Sequence, residues 1–421
     1  MNSLLFITHE YPINRGDTAF IKSEILFLAE KFDKIYVLCL GRSSKNDNLL
    51  DMPKNVSISF IDYKHRKIKK FLLIFILLFY CSFYEEVFAL IRRKKLSIHT
   101  LYLAMAFFLE AMMLGTAITK MLKHDKNINL IYTYWCSAET MGSLLSQKSN
   151  KNISCITRTH RYDLYEFRNK QNHQPYKSWM DKRITKIFFI SRHGYDYYIN
   201  TFAKSDLKKY SLARLGILNN HTIEEKKKNA DVFTLISCSK IIPVKRINLI
   251  IEALGEIDDF KINWIHIGDG TDRNDIVSMA DKILKSKENI SYEFKGFMDN
   301  NQVMQFYKDN HNEIDCFISA SESEGLPVSM MEAISFGIPV IATNVGGVPE
   351  LVNSNTGILL SSEGTVSEIK KAIIDFYNFS DDRKNAMRQS ARLLWETDFN
   401  AEINHKKFSE ELLAIATVKS K

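Results

Sequence analysis

DCFISASESEGLPVSMMEAISFGIPVIA, residues 315–342, consists of two apolar runs on either side of a loop and a helix-like run. DCFIS and IPVIA are short apolar runs typical of buried parallel strands, and VSMMEAISF between them has the apolar spacing of a helix. Pro327 suits the first turn of that helix, where its missing N–H needs no partner, and Gly337 suits the carboxyl-terminal stop. The stretch therefore predicts a βαβ unit with a right-handed crossover.

The same alternation of strand-like and helix-like runs extends through the rest of the chain. The candidate strands are 3–8, 34–39, 56–61, 129–134, 153–157 and 187–190, and then 232–237, 263–267, 290–294, 315–319 and 338–342. The polar, charged stretch NNHTIEEKKKNA (219–230) between the two series has the composition of a linker. With 421 residues, two domains are expected. We therefore predict an α/β protein with two consecutive parallel-sheet domains.

Composition narrows the class of protein. Apolar residues make up 45% and charged residues 25%, which is typical of a globular chain. The six cysteines form no Cys-x-x-Cys pair, which favours a reducing compartment over a disulfide framework or a zinc site. MNSLLFITHE lacks a basic region before its apolar run and is interpreted as a first strand, so a cytoplasmic location is expected. The net charge is +8, but the sequence lacks the interleaved aromatic and basic residues typical of proteins that bind single-stranded nucleic acid.

Much of the positive charge lies beside apolar runs at 64–95. KHRKIKK (64–70) precedes FLLIFILLFYCSFY (71–84), and RRKK follows at 92–95. The apolar run is shorter than the roughly 20 residues that span a bilayer, and LYLAMAFFLEAMMLGTAI (101–118) carries Glu110. Two interpretations stay open: core helices with solvated basic ends, or a basic and apolar face that contacts anionic lipid at the inner face of the cell membrane.

Charged residues and glycines collect where the predicted strands of the second half end. Glu324 follows one strand, and Glu332 lies about one and a half turns into the next helix. Lys240, Lys245 and Arg246 follow another strand, and glycine turns follow two more. Because ligands bind at the carboxyl ends of parallel strands, we expect these groups to share one site. Glycines and cations suit a diphosphate and carboxylates suit sugar hydroxyls, so a nucleotide-diphosphate sugar would satisfy both.

SKIIPVKR (239–246), IGDG-x-x-R (267–273), EGLPVSMMEA (324–333) and NVGGVPELV (344–352) occur in an order that closely resembles the retaining GT-B glycosyltransferases of family 4. The resemblance implies two Rossmann-like parallel-sheet domains facing a central cleft. It implies an acceptor-binding domain at 1–220 and a nucleotide-sugar-binding domain at 221–394, with a terminal helix at 395–421 that packs back on the first.

The resemblance also implies roles for individual residues. Glu324 should contact the donor sugar and Glu332 the ribose hydroxyls, while Lys240 and Lys245 should hold the diphosphate. The other donor-binding residues implied in this half are Gly325, Leu326, Phe297 and Met298, the last two meeting the nucleobase. The chain departs from the family where Ser239-Lys240 and Lys245-Arg246 replace the usual Gly-Arg and Lys-Gly. Lysine lacks the fork of arginine, so the geometry of the phosphate clamp is less defined.

In the first half, the resemblance involves two segments. HEYPINRGDTAFIKSEI (9–25) is similar to the family's glycine-containing first loop, with Gly16 predicted to bind the donor, although an ordinary βα turn is the alternative. RTHRYDLYE (158–166) matches the family's His-x-x-Asp segment. His160 is therefore predicted to be catalytic and Asp163 to bind the donor. Trp135 is interpreted either as a cleft residue or as a core residue.

We therefore expect a retaining hexosyltransferase that uses a nucleotide-diphosphate sugar, with UDP as the default base. Glu324, Lys245 and His160 are its predicted catalytic residues. The acceptor is expected to be a glycan or lipid-linked hydroxyl in bacterial polysaccharide biosynthesis. No Asp-x-Asp motif ends a predicted strand, so neither metal nor other cofactor is expected. The alternative is a catalytically inactive, membrane-associated protein that binds nucleotide sugars; a nucleotide-sugar epimerase is disfavoured by the two glutamates.

Overall fold

The computed structural model describes residues 2–13, 18–41, 49–61, 77, 79–147, 152–222 and 232–418. The chain divides into two compact units. Unit 1 comprises Met1–Leu215 and Glu402–Lys421, and unit 2 comprises Gly216–Ala401. Each unit is built around a parallel sheet, which confirms the predicted α/β class with two parallel-sheet domains. The predicted linker falls mostly on residues 223–231, which lie outside the described ranges.

Unit 1 is an alternation of strands and helices. Its described strands are β1 (Ser3–Thr8), β2 (Lys34–Cys39), β3 (Val56–Phe60), β4 (Ile128–Thr133), β5 (Ser154–Thr159), β6 (Lys186–Phe189) and β7 (Tyr210–Leu212). Its described helices begin with α1 (Thr18–Lys31), α2 (Cys81–Arg92), α3 (Ile98–His124), α4 (Ala138–Ser146), α5 (Arg161–Leu164), α6 (Lys177–Arg183) and α7 (Arg192–Thr201). The sheet order is β3-β2-β1-β4-β5-β6-β7, with parallel pairing throughout.

Helices cover both faces of this sheet. Side chains of a strand alternate between faces, so Leu5 and Ile7 of β1 join one apolar cluster while Leu4 and Phe6 join another. All six residues of β1 are buried, as expected for a central parallel strand with helices on both sides. The predictions for β1 and β2 agree residue for residue, but the three-residue edge strand β7 was not predicted.

Helix α3 is long and apolar enough to cross a membrane by length and composition alone. In the structure it contributes Ala104, Phe108 and Ile118 to the core of unit 1. Gly115 and Gly142 let α3 and α4 approach closely, since a Cβ on Gly115 would lie 2.9 Å from the carbonyl oxygen of Gly142. We therefore interpret α3 as a core helix, in agreement with the interpretation that 101–118 packs in a domain core.

Unit 2 has the same alternation. Its described strands are β8 (Phe233–Cys238), β9 (Ile262–Ile267), β10 (Ile290–Gly296), β11 (Cys316–Ser319), β12 (Val340–Thr343) and β13 (Gly357–Leu360). Its described helices are α8 (Ile247–Gly255), α9 (Arg273–Leu284), α10 (Asn300–Asn310), α11 (Val328–Ser335), α12 (Val366–Tyr377) and α13 (Asp381–Leu394). The parallel sheet has the order β10-β9-β8-β11-β12-β13, which places β8 beside β11.

The βαβ unit predicted at 315–342 is confirmed. Helix α11 begins directly after Pro327, and the chain leaves it through Gly337, whose φ of 67° is the left-handed conformation typical of a helix stop. β11 and β12 pair in parallel. The crossover therefore carries α11 between two neighbouring strands.

A last helix, α14 (Ala401–Val418), belongs to unit 1 from Glu402 onward. The ring centroid of Phe408 lies 5.0 Å from that of Phe188 and 5.5 Å from that of Tyr132. The guanidinium of Arg158 lies 3.9 Å from the centre of the Phe408 ring and is paired with Glu24. Both charged groups of this pair are fully buried, so α14 covers a buried ion pair on one face of the sheet.

Candidate active site

Lys245 and Glu324 form an ion pair at the carboxyl edge of the sheet of unit 2. Lys245 ends a short 3-10 turn after β8, and Glu324 lies in the loop after β11. The Lys245 Nζ lies 2.5 Å from the Glu324 Oε1. The N–H of Glu322 also donates to the carbonyl of Val244 at 2.9 Å, which fixes the two loops together. Glu324 is 8% exposed, so the pair is largely shielded from water.

Arg246 has a different role from the neighbouring lysine. Its φ of 49° is the left-handed conformation that glycine adopts most readily, at the position where the resembled family usually has glycine. Its guanidinium donates to the carbonyls of Ala320, Ser321 and Glu363. Arg246 therefore positions the loop after β11, at the sheet edge where the sequence places it beside Lys245.

The other predicted residues of these loops are placed as follows. Lys240 is exposed in the loop after β8. The carbonyl of Gly325 accepts a 2.7 Å hydrogen bond from the N–H of Gly347, and Leu326 is buried just before α11. Gly346 has a φ of 56°, and a Cβ on it would lie 2.0 Å from the carbonyl oxygen of Glu324. The glycine pair thus allows one loop to approach the other, which sets the backbone position of Glu324.

Glu332 is the most perturbed carboxyl group of unit 2. It is 5% exposed on α11, and burial raises its pKa to about 8. The side-chain N–H of Asn300 donates to it at 2.5 Å and acts in the opposite direction. Because the hydrogen bond crosses 32 residues of sequence, the motif-based prediction missed Asn300. Its capping sequence, DNNQ (299–302), is a signal for the helix start only.

Phe297 and Met298 lie at the same edge, immediately after β10. The Phe297 side chain is 77% exposed, and Asn300 follows two residues after Met298. The hydrogen bond between Asn300 and Glu332 therefore ties the segment predicted to meet the base to the carboxyl group predicted to bind the ribose. Within unit 2, the structure brings the predicted donor-binding residues to the carboxyl ends of β8, β10 and β11.

His160 lies at the end of β5 in unit 1, with its ring among aromatic side chains. The ring centroids of Tyr134 and Trp135 lie 4.5 Å and 4.6 Å from that of His160. Neither ring nitrogen has a hydrogen-bond partner among the described residues, and the side chain is 6% exposed. Burial, together with the nearby positive charge of Arg158, holds the pKa of His160 well below its usual range. The ring is therefore neutral at physiological pH.

Asp163 accepts hydrogen bonds from the backbone N–H groups of His160 and Cys136. Burial raises its pKa to about 6, against the opposing effects of Lys177 and the two backbone donors. Lys177 itself donates to the carbonyl of Cys136. These contacts position the segment that carries His160, and a direct contact of Asp163 with the donor stays a prediction.

The first loop is only partly described. Gly16 lies outside the described residues, whereas His9 follows β1 directly. The His9 Nε2 lies 3.0 Å from the Oε1 of Glu139, and its ring centroid is 5.9 Å from that of Trp135. The sequence analysis did not select His9 or Glu139, although both follow predicted strands. Across the described ranges, no group of three or more His, Cys, Asp or Glu side chains is arranged to hold a metal ion.

Comparison with known proteins connects unit 2 to a family. Residues 219–393 match the family model for glycosyl transferases group 1. An uncharacterized glycosyltransferase of Methanocaldococcus jannaschii is 24% identical over 66% of this chain and 75% of its own length. The putative colanic acid biosynthesis glycosyltransferase WcaL of Escherichia coli is 24% identical over 49% of this chain and 52% of its own length. The family match and these relatives support a glycosyltransferase with homologues in polysaccharide biosynthesis.

Solved structures resemble the chain over almost its whole length. The lipopolysaccharide outer core galactosyltransferase WaaB aligns with a TM-score of 0.66 at 13% identity, covering 98% of this chain and 99% of that one. HepE of Anabaena, solved in complex with UDP-glucose, aligns with a TM-score of 0.61 at 15% identity, covering 98% and 99%. At such identities the likeness shows the fold alone, which is the predicted GT-B α/β fold.

Proposed function

Because residues 219–393 match the glycosyl transferases group 1 and the chain has the GT-B fold, we propose that the protein is a retaining hexosyltransferase of family 4 type. Its donor is a UDP-sugar, and its acceptor is a glycan or lipid-linked hydroxyl in bacterial polysaccharide biosynthesis. The relationship to WcaL and the complex of HepE with UDP-glucose support the class of acceptor and donor. The observation that carries the proposal is the shielded pair of Lys245 and Glu324 at the sheet edge, followed by the helix that carries the buried Glu332.

In the proposed reaction, the bond between the anomeric carbon and the diphosphate oxygen breaks. The acceptor oxygen forms its bond on the same face of the sugar, and its proton passes to the leaving phosphate. Negative charge grows on that phosphate, so Lys245 stabilises the transition state more than the ground state. Glu324 orients Lys245 and accepts hydrogen bonds from sugar hydroxyls. Lys240, which is exposed, supplies a second positive charge to the diphosphate.

Glu332 is assigned to the ribose. Burial has removed water from the Glu332 carboxyl group and raised its pKa. Hydrogen bonds from the ribose hydroxyls would replace that water and stabilise the group. Asn300 holds it in place and connects it to the segment of Phe297 and Met298, whose exposed backbone is assigned to the base. Because the lysines and the α11 N-terminus already oppose the diphosphate charge, we propose that no metal ion is required.

His160 is assigned to the donor sugar as a neutral hydrogen-bonding group. His160→Ala should lower kcat by about 10- to 100-fold, since a buried hydrogen bond to a reacting substrate contributes roughly 1–3 kcal/mol. The ratio of wild-type to variant kcat/KM should stay constant from about pH 6 to 9, because the ring is already neutral there. Steady-state kinetics across this range checks both expectations.

The exposed His124, in the last turn of α3, provides the matched control. His124→Ala should keep wild-type activity. Equal activity of His160→Ala and wild type, at equal thermal midpoints, would remove His160 from the reaction.

The proposed function is tested by nucleotide release from UDP-, GDP- and ADP-sugars in the presence of a metal chelator. Wild type is compared with Glu324→Ala, with and without a membrane extract as the source of acceptor. We expect release from one UDP-sugar, stimulated by the extract and lost in the variant. No release from any donor, despite tight UDP binding by calorimetry, would favour a nucleotide-sugar binding protein without catalysis.

A further inference from the structure

Helices α2 and α3 form a hairpin with an apolar outer face. The ring centroids of Tyr80 and Phe108 lie 5.3 Å apart, so the start of α2 packs beside the third turn of α3. The turn between the helices spans residues 93–97. The large apolar side chains exposed along this hairpin are Phe79 (86% exposed), Tyr84 (45%), Phe88 (68%), Ile91 (52%), Leu96 (48%), Ile98 (86%) and Tyr102 (72%). Because several large apolar groups lie on successive helical turns, they form a patch. Single exposed apolar residues, which are common on protein surfaces, would not form one.

The charge at the exposed tip of this hairpin is positive. Arg92 and Lys94 are exposed at the hairpin tip. The sequence from Val87 to Leu109 contains no acidic residue. The two acidic residues just before it are occupied elsewhere, Glu85 with Arg183 at 2.9 Å and Glu86 with His173 at 2.8 Å. The exposed tip therefore presents cations and apolar side chains without an anion to neutralise them.

The tip is held rigidly by a buried acid. Glu166 accepts hydrogen bonds from Arg93 at 2.6 and 2.8 Å and from Lys95 at 2.8 Å. Burial alone would raise the pKa of Glu166, but the hydrogen bonds from His173, Arg93 and Lys95 hold it well below its usual range, so the group stays charged. Of the four consecutive cations at 92–95, two thus anchor the hairpin to the body of unit 1, and the other two are left for an external partner.

We propose that this hairpin face docks on the surface of an anionic lipid bilayer. A bilayer interface offers an apolar layer below a negatively charged layer, which matches aromatic and aliphatic side chains rimmed by arginine and lysine. An open hollow of about 480 Å³ beside the tip is lined by Ser97, His99 and Lys170 among others, and Lys170 adds an exposed cation at the rim. A second copy of the chain is a poorer partner, because a two-fold contact would place like charges opposite each other.

One interpretation of the sequence predicts such a face at 64–95, of which residues 64–76 and 78 lie outside the described ranges. The structure instead points to Phe79–Tyr102. Docking does not depend on the proposed sugar transfer, since it uses no residue of the candidate active site. A lipid-binding result and an activity result can therefore fail separately.

The test is co-sedimentation of the full chain with vesicles of phosphatidylcholine alone or mixed with phosphatidylglycerol. Wild type should bind only the mixed vesicles, and added salt should weaken the binding. Phe88→Glu combined with Ile98→Glu should lower the partition coefficient at least about tenfold, through lost apolar insertion and added negative charge. Arg92→Glu combined with Lys94→Glu should lower it by at least about fivefold per position.

Matched variants separate this face from general surface effects. Leu207 is 60% exposed in unit 1, and Leu207→Glu should leave binding unchanged. Lys282→Glu combined with Lys285→Glu makes the same charge change at the carboxyl-terminal end of α9 in unit 2 and should have at most a small effect. Thermal midpoints of all variants should equal that of wild type, since the altered side chains are exposed.

Four results would overturn the proposal. The first is equal binding of wild type to both kinds of vesicle, and the second is equal binding of wild type and Phe88→Glu/Ile98→Glu. The third is a concentration-dependent dimer that the hairpin variants abolish, with no vesicle binding, which would assign the face to a second copy. A marked loss of thermal stability in Phe88→Glu/Ile98→Glu, without vesicle binding by wild type, would assign it to residues 62–76 of the chain itself.

Discussion

Lys245→Ala is expected to lower sugar transfer by about 100- to 1,000-fold, mostly in kcat. A preorganised donor that faces a developing negative charge contributes about 3–4 kcal/mol to the transition state. The loss should be larger than at an exposed cation, because the pair with Glu324 is shielded and the ammonium group lies at a fixed position, 2.5 Å from the carboxylate. The measurement is steady-state nucleotide release from the accepted donor, with and without a chelator.

Lys287 provides a matched control, since it also pairs with a carboxylate, Asp258, at 2.6 Å. Asp258 is 76% exposed in its side chain, so this pair lies in water and far from any strand end that carries the site. Lys287→Ala should therefore keep wild-type turnover. Turnover of Lys245→Ala within about threefold of wild type, a change too small for the loss of a preorganised donor, would remove Lys245 from catalysis.

Glu332→Gln is expected to remove a large pH dependence from the stability of unit 2. Below about pH 4.5 the Glu332 carboxyl is protonated in both the folded and the unfolded chain. As the pH rises towards 8, the unfolded chain releases this proton while the folded chain retains it, so the wild type loses stability. Glutamine has no proton to release. By pH 9 the free energy of unfolding of the variant should exceed that of the wild type by on the order of 4 kcal/mol. Near pH 4.5 the two free energies should be alike.

The measurement is hydrogen exchange of peptides from α11 (Val328–Ser335) in urea at several pH values, which reports on unit 2 by itself. Asn300→Ala gives an independent check. Its side-chain hydrogen bond lowers the pKa of Glu332 in the folded chain, so its removal should extend the loss of stability to higher pH and make the loss larger. A stability difference between wild type and Glu332→Gln that stays flat from pH 5 to 9 would contradict the assignment.

Local patterns determined the secondary structure well. The boundaries of β1 and β2 agree with prediction exactly, and those of the other predicted strands differ by two residues or fewer. Buried parallel strands appear in sequence as continuous apolar runs, and Pro327 and Gly337 mark the helix between two of them. β7 and β13 escaped because both are short edge strands, where half-exposed residues weaken the apolar signal.

Such local patterns do not predict contacts between segments that are distant in sequence. The motifs selected Lys245, Glu324 and Glu332 but not Asn300, and they did not show that Arg246 donates to backbone carbonyls. The strand order places β8 beside β11, so residues 79 positions apart become an ion pair. The same closeness gives the Arg246 guanidinium three backbone carbonyls to satisfy. A motif shows which residue types occur at which spacing. The hydrogen-bond partner of each residue depends on which loops lie close together in the folded structure.

The sequence alone therefore determined the two parallel-sheet domains and the residue types at the strand ends, because both depend on short-range apolar periodicity and on motif spacing. Only the tertiary structure decided the electrostatic state of the site. Glu332 and His160 owe their shifted pKa values to water removed by side chains from other strands and helices. The tertiary structure also decided that Phe88 and Ile98 face outward. The sequence shows that a helix is apolar, but it does not show which apolar face packs against the rest of the protein.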